Sequence, residues 1–247
     1  MADLKVVPEH GSEPVIATEA RGQGQPPVVF IPGSGNTSDS FAVVMDEIEA
    51  FTQVVGYARP GIGDTGPAPC TDPRGVAAAA VELRVALSRT EVSSPRILVG
   101  HSFGALIALA YVAAWPEEVA GVVLDDASDP QLFLDSGQSV IDDGDGPGSI
   151  PFDVVATVQD LDDVPLPLEV PVTVVASRPG RWLEISPEQA QRWEPHTLAQ
   201  VDALWQDYQK DLAERLDADL VVAEVGGHYV HQDQPELVSA AIKRMLA

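Results

Sequence analysis

The sequence predicts an α/β protein whose mostly parallel sheet is flanked by helices, and three observations predict it. Short β-branched runs alternate with longer Ala-, Leu- and Glu-rich segments, the rhythm of repeated βαβ units. Four of those runs are nearly all apolar, as strands covered by helices on both faces must be. A chain of 247 residues, 45% of them hydrophobic, is long enough to bury roughly 70% of the surface its unfolded form exposes.

The elements follow in order. Residues 14–18 and 27–31 read as the first two strands. A helix is expected over 39–50, where Phe41, Val44, Met45 and Ile48 recur at helical spacing. Residues 52–57 return to a strand, and the Ala-rich stretch 75–90 to a helix. The strand at 96–99 leads into 104–114, a short segment so apolar that a buried helix is expected. Residues 119–124 form the next strand. From 127 to 168 the periodicity disappears and Asp, Gly and Pro cluster, as in Asp142-Asp143-Gly144-Asp145-Gly146-Pro147-Gly148. So long an irregular stretch inside a compact domain is usually functional or mobile. It reads as an insertion, because the sheet pattern resumes at 172–176. A long helical segment, 187–216, should break or kink at Pro195. A strand at 220–225 and a helix at 235–246, with Pro235 at its first position, close the chain. The expected organisation is one domain, 1–247, carrying an insertion at about 127–168.

Charge excludes several partners. Thirty-eight acidic residues against 14 basic ones give a net −24, a surface that repels nucleic acid and anionic membranes. No apolar run approaches the ~20 residues a bilayer span needs. The start of the chain has no charged-then-apolar leader, so a cytoplasmic protein is expected. The single cysteine, Cys70, rules out an intrachain disulfide and a multi-cysteine zinc site. The charge is also uneven: between Arg96 and Arg178 there is no Lys or Arg, but 14 Asp and Glu.

The strongest chemical signal is Gly100-His101-Ser102-Phe103-Gly104, a G-x-S-x-G run. A strand is expected before it and a helix after it. That context makes it a sharp turn that holds the serine clear of the backbone, at a helix N-terminus whose dipole favours a developing anion. Side chains in place of the two glycines would collide with the neighbouring strand and helix.

With this motif the chain resembles the α/β-hydrolase superfamily over nearly its whole length. Val29-Phe30-Ile31-Pro32-Gly33-Ser34-Gly35 is similar to the family's loop that supplies one oxyanion donor. Residues 54–63 resemble the strand and turn that follow it. Gly227-His228 and the residues through Pro235 resemble the catalytic-histidine loop. Pro32 stands where the family commonly has His, and Ala58 where it commonly has Asp. The resemblance implies an α/β-hydrolase fold with the insertion as a short cap, and no cofactor or metal. It implies that Ser102 is the nucleophile, His228 the base that takes its proton, and the backbone N–H groups of Ser34 and Phe103 the oxyanion hole.

The acid has more than one candidate. In many members it follows the strand here at 172–176, but this chain offers no carboxylate there until Glu184. The superfamily's other position is the end of the preceding strand, which here reads Leu124-Asp125-Asp126-Ala127. An apolar buried strand ending in two aspartates is costly unless at least one is paired. Placed relative to Pro130, Asp126 is the first choice, ahead of Asp125 and Glu184. The order Ser102, Asp126, His228 keeps the family's chain order.

Other features invite different readings. Gly61-Ile62-Gly63-Asp64-Thr65-Gly66 matches a dinucleotide fingerprint, but Pro67 and Pro69 follow where a helix should open. His231, three residues after His228, suggests a metal pair, yet no carboxylate spacing supports it. His10 falls near the N-terminus, His196 in a helix, and His101 should point away from the serine. Asn36-Thr37-Ser38 is a glycosylation sequon without consequence in a cytoplasmic protein. Cys70 reads as a bystander. Trp182, Trp193 and Trp205 could line a pocket, though core packing is the first reading.

The expected activity is hydrolysis of an ester, lactone or thioester through an acyl-enzyme. C–C bond hydrolases, amidases and cofactor-free perhydrolases resemble the same constellation. A serine nucleophile argues against the haloalkane dehalogenases and epoxide hydrolases of this fold, which need aspartate there. The rival of another class is a non-catalytic receptor or scaffold that keeps the pocket. The acidic stretch leads to a preference for small neutral or cationic substrates over anionic ones such as coenzyme A thioesters, through charge steering at the mouth.

Overall fold

The computed structural model describes residues 17–68, 70–144 and 148–247. Strands β1 (Ala17–Arg21) and β2 (Val28–Ile31) lead through a 3-10 turn, Ser38–Phe41, into α1 (Ala42–Ile48). Then come β3 (Val54–Ala58), α2 (Val76–Ser88), β4 (Arg96–His101), α3 (Phe103–Ala114) and β5 (Val119–Asp125). Residues 127–168 contribute α4 (Pro130–Asp135), the short strands β6 (Val140–Ile141) and β7 (Phe152–Asp153), and α5 (Val154–Asp162). The chain ends with β8 (Val172–Ala176), a 3-10 turn at Arg181–Glu184, α6 (Pro187–Gln191), α7 (Leu198–Leu216), β9 (Asp219–Val222), α8 (Val230–Asp233) and α9 (Pro235–Leu246).

Among the described residues the main sheet runs β1-β3-β2-β4-β5-β8-β9. Only β1 is antiparallel to its neighbour. Successive strand residues point to opposite faces, and here both faces are dry. Val29, Ile31, Leu98, Val122 and Leu124 join α2, α3 and α7 in one core, while Val28, Phe30, Ile97, Val99 and Val123 join α1 and α9 in the other. This explains why the strands read as continuous apolar runs. Helix α3 is buried from Phe103 to Val112, as its composition predicts.

The chain leaves β2 toward β3 on one side and returns to β4 on the other. That reversal opens a crevice at the carboxyl ends of β2 and β4. Ile31 pairs with Gly100 across it, so the loop after β2 emerges beside the turn that carries Ser102.

The expected strand at 14–18 falls largely outside the described residues; β1 begins at Ala17. Pro195 does separate two helices, α6 and α7, each opened by a capping box, Ser186 with Gln189 and Thr197 with Gln200. His196 consequently lies in the connection rather than in a helix. The larger difference is 127–168, which holds two helices and a pair of strands where the sequence suggested irregular chain. Asp129 caps α4 by accepting from Gln131 N–H and Leu132 N–H, and Asp153 caps α5. Helices of six and nine residues are too short to display a convincing helical period. No helix among the described residues is long and apolar enough to cross a membrane.

Candidate active site

Ser102 occupies the turn between β4 and α3 at φ +54°, ψ −120°, a left-handed conformation that non-glycine residues hold only when their surroundings enforce it. Close packing enforces it here. A Cβ on Gly100 would sit 2.4 Å from the Gly104 carbonyl oxygen, and one on Gly104 2.1 Å from that of Ile31. Only glycine at both positions lets α3 lie this tightly against the sheet.

His228, on the loop between β9 and α8, reaches Ser102 Oγ with Nε2 at 3.2 Å and Asp126 Oδ2 with Nδ1 at 2.7 Å. Asp126 follows β5 directly, at φ +44°, and is fully buried. Its Oδ1 accepts from Ser177 N–H and Trp205 Nε1–H, each at 2.9 Å. Its Oδ2 also faces the Arg181 guanidinium at 3.1 Å. Burial pushes this carboxyl's pKa up, but Arg181's charge and the hydrogen bonds from His228 and Trp205 outweigh it and hold Asp126 well below the usual carboxylate range. An ionised carboxylate accepts only, so His228 Nδ1 is the donor and Nε2 keeps a free lone pair.

The neighbouring carboxylate goes elsewhere. Asp125 Oδ2 pairs with His231 Nδ1, both side chains fully buried, and burial raises the Asp125 pKa. His101 packs beside this pair and donates Nε2–H to the His228 carbonyl oxygen at 2.8 Å, tying the His228 loop to the end of β4. Burial, aided by His228 and His231, lowers the His101 pKa well below 6.5. The nearby Asp233 accepts from Gly227 N–H instead; the fold delivers His231's carboxylate from 106 residues earlier. His101, Asp125 and His231 bring three ligand atoms within 4.8 Å of one another, and the Asp125–His231 contact among them is a hydrogen bond.

A second buried charge pair anchors the loop after β2. Arg59, at the end of β3, donates to both Asp143 carboxylate oxygens at 2.6 and 2.8 Å. Its remaining N–H groups grip the Pro32 and Gly33 carbonyl oxygens, each at 2.6 Å. Asp143 Oδ1 accepts from Gly35 N–H at 2.9 Å, and Ser34 Oγ donates to the Asp142 carbonyl oxygen at 2.5 Å. The segment carrying Asp142 and Asp143 is thereby fastened to the loop that carries Ser34. Gly33 O takes Asn36 N–H, so neither the Gly35 nor the Asn36 amide is free for a ligand.

Burial raises the Asp143 pKa, yet Arg59's charge and hydrogen bonds prevail and hold it below its ordinary 3.8. Such a group stabilises the fold fully above about pH 3.8 and loses that contribution as pH falls through the depressed value. Asp143→Asn leaves Arg59 buried without its counter-charge and is expected to lower unfolding free energy at pH 7 by about 3–5 kcal/mol. The gap to the unmodified protein should narrow as pH falls below about 3.8, where Asp143 of the unfolded chain takes up a proton before that of the fold does. Denaturant unfolding of both proteins at pH 7, 5 and 3 measures it; a gap unchanged in acid would show that Asp143 carries no charge in the fold.

The fold thus brings Ser102, His228 and Asp126 together, with Ser34 and Phe103 on the loops beside the serine. Glu184 lies in the 3-10 turn and pairs with Arg178, away from His228. The Gly61–Gly66 segment is a turn with no helix until Val76. Cys70 is an exposed free thiol; His10 falls outside the described residues. Trp182, Trp193 and Trp205 are buried in the core, and Trp205 adds the bond to Asp126. Of the 14 carboxylates between Arg96 and Arg178, Asp125, Asp126 and Asp143 are buried and paired with His231, Arg181 with His228, and Arg59. The two arginines come from outside the stretch, which a charge count along the chain misses. A cavity of about 390 Å³ between α4, α5 and α7, walled by Leu109, Val158 and Tyr208, contains none of the clustered residues.

Sequence reasoning missed Ser128, Arg181, the bond from Trp205 to Asp126 and the Arg59–Asp143 pair. Ser128 Oγ lies 2.9 Å from Ser102 Oγ. Their only sequence signal is the cost of leaving a buried charge or hydroxyl unpaired, and that says a partner exists without saying which.

Comparison with known proteins agrees with this architecture. The alpha/beta hydrolase family model matches residues 28–241, and the chain belongs to that family. No curated protein matches it in sequence. Among solved structures it is similar to a thermophilic esterase from Thermogutta terrifontis, with 18% identity, TM-score 0.65, and 94% of this chain and 92% of that one covered. It is also similar to alpha/beta hydrolase domain-containing protein 10 from mouse, with 18% identity, TM-score 0.66, and 96% of each chain covered. An esterase from Exiguobacterium antarcticum aligns at 20% identity and TM-score 0.63, over 94% of this chain and 95% of that one.

Proposed function

We propose that the protein is a serine hydrolase that cleaves a carboxylic ester, lactone or thioester through an acyl-enzyme. One observation carries this reading: Ser102, held at φ +54°, faces a His228 Nε2 whose lone pair is kept free by the Nδ1–H bond to ionised Asp126. Ser102 Oγ attacks the acyl carbonyl carbon while His228 takes its proton, and Asp126 stabilises the imidazolium that forms. The Ser34 and Phe103 N–H groups receive the charge on the carbonyl oxygen, and Phe103 is the first residue of the 12-residue α3, whose N-terminal dipole favours that charge. His228 returns its proton to the leaving group, and water releases the acyl group by the reverse sequence. The substrate is a small neutral or cationic molecule. The likeness to esterases supports the ester class ahead of amides or C–C bonds.

A fluorophosphonate probe tests the reading. One equivalent is expected on the Ser102 peptide, detected by mass, with labelling abolished in His228→Ala. A folded protein left unlabelled at Ser102 would favour a binding scaffold over an enzyme.

A further inference from the structure

We propose that Ser128 is a further catalytic residue: its hydroxyl donates to Ser102 Oγ and assists release of the acyl group. This rests on the acyl-enzyme reading above. Ser128 is buried, 1% exposed, and Ser102 Oγ is its side chain's one hydrogen-bond partner among the described residues, at 2.9 Å.

The direction of that bond follows by elimination. Asp126 is held ionised, so the neutral His228 ring, the form that can take a proton from serine, donates Nδ1–H to it and accepts at Nε2. Ser102 has one proton, and Nε2, at 3.2 Å, is where it goes. The proton between the two serines is therefore Ser128's. The backbone supports this placement: Ser102 N–H donates to the Asp125 carbonyl oxygen at 3.1 Å, and Ser128 N–H to that of Ser102 at 3.4 Å. The turn after β5 thus sets the acid against His228 and, two residues on, a donor against the nucleophile.

A donor at this atom does not act equally on the two half-reactions. Before acylation the bond to the Ser102 hydroxyl already exists, so it changes little as Oγ attacks. In the acyl-enzyme Oγ is an ester oxygen, a weak acceptor. In deacylation water adds to the acyl carbon and gives a proton to His228; then the C–Oγ bond breaks, and Oγ takes the electron pair and that proton. Charge grows on Oγ as the bond breaks, and the Ser128 bond strengthens with it. Only an interaction that strengthens toward the transition state accelerates a step, so Ser128 favours deacylation.

The two steps are measured separately with p-nitrophenyl dimethylcarbamate, nitrophenolate release reporting carbamoylation of Ser102 and recovery of esterase activity reporting decarbamoylation. Ser128→Ala is expected to keep carbamoylation within about 3-fold of the unmodified protein and to slow decarbamoylation about 10-fold or more, the range for losing a donor to a charged oxygen. With a fast-acylating ester, kcat and KM should fall together while kcat/KM holds. Ser128→Cys, close in shape with a weak S–H donor, should fall between. Equal slowing of both steps in both variants means that the hydroxyl only packs the turn, and no change in either step means that it is idle; each overturns the proposal. If the unmodified protein is not carbamoylated at Ser102, the acyl-enzyme reading itself fails.

Discussion

Ser102→Ala is expected to lower ester turnover by roughly 10⁴- to 10⁶-fold while the protein stays folded. The substitution removes the attacking oxygen and leaves the backbone N–H groups of Ser34 and Phe103 untouched, so what survives is the residual rate that binding and oxyanion donors sustain without a nucleophile. Stability should fall by no more than about 2 kcal/mol. Alanine is no worse than serine at φ +54°, and the loss is two hydrogen bonds, to Ser128 and to His228 Nε2, each worth about 1 kcal/mol. Turnover of a p-nitrophenyl ester and a thermal melt read the two effects separately. Activity within 100-fold of the unmodified protein would place the nucleophile elsewhere.

Asp126→Asn should cost on the order of 10⁴ in turnover, for a reason visible in the acid's partners. Oδ1 accepts from Ser177 N–H and Trp205 Nε1–H, so the amide must keep its oxygen there and turn its NH₂ group toward His228 Nδ1 and Arg181. A donor facing Nδ1 forces the imidazole into the other tautomer, with its proton on Nε2. That nitrogen can no longer accept from Ser102. Arg181, 8% exposed, also loses its counter-charge, so destabilisation of about 3–5 kcal/mol should accompany the kinetic loss. Asp125→Asn disturbs the His231 pair and leaves every Asp126 contact in place; its kinetic loss should be far smaller. Parallel kinetics and melts of the two variants decide the assignment, and equal losses would overturn it.

These contrasts follow a boundary between local and long-range information in the chain. The alternation of strands and helices, the turn at Ser102 and the break at Pro195 are legible because each is written in a few adjacent residues. The histidine loop is legible for the same reason. Asp126 could be ranked but not separated from Asp125 and Glu184, because two adjacent aspartates at a strand end look alike until their partners are known. Those partners, Arg181, Trp205 and Ser177, lie 51 to 79 residues away. The helices within 127–168 escaped notice because their apolar faces, Leu132 and Phe133 on one and Val154 on the other, are shorter than a readable period. The run without Lys or Arg gave no sign that Arg59 and Arg181, from outside it, pair with its buried Asp143 and Asp126.

The Arg59–Asp143 pair has a consequence for anyone recombining members of this family. Its two halves belong to different pieces of chain, the guanidinium to the sheet scaffold and the carboxylate to the insertion. A chimaera that replaces the insertion with a foreign one would strand Arg59 in a dry interior, with carbonyl oxygens for company and no anion. Such a hybrid should express poorly however well the new segment is shaped. Carrying residue 143 as aspartate in the donor segment, or exchanging Arg59 for an apolar side chain in the same step, removes the mismatch. The unit of exchange is therefore the insertion together with the end of β3.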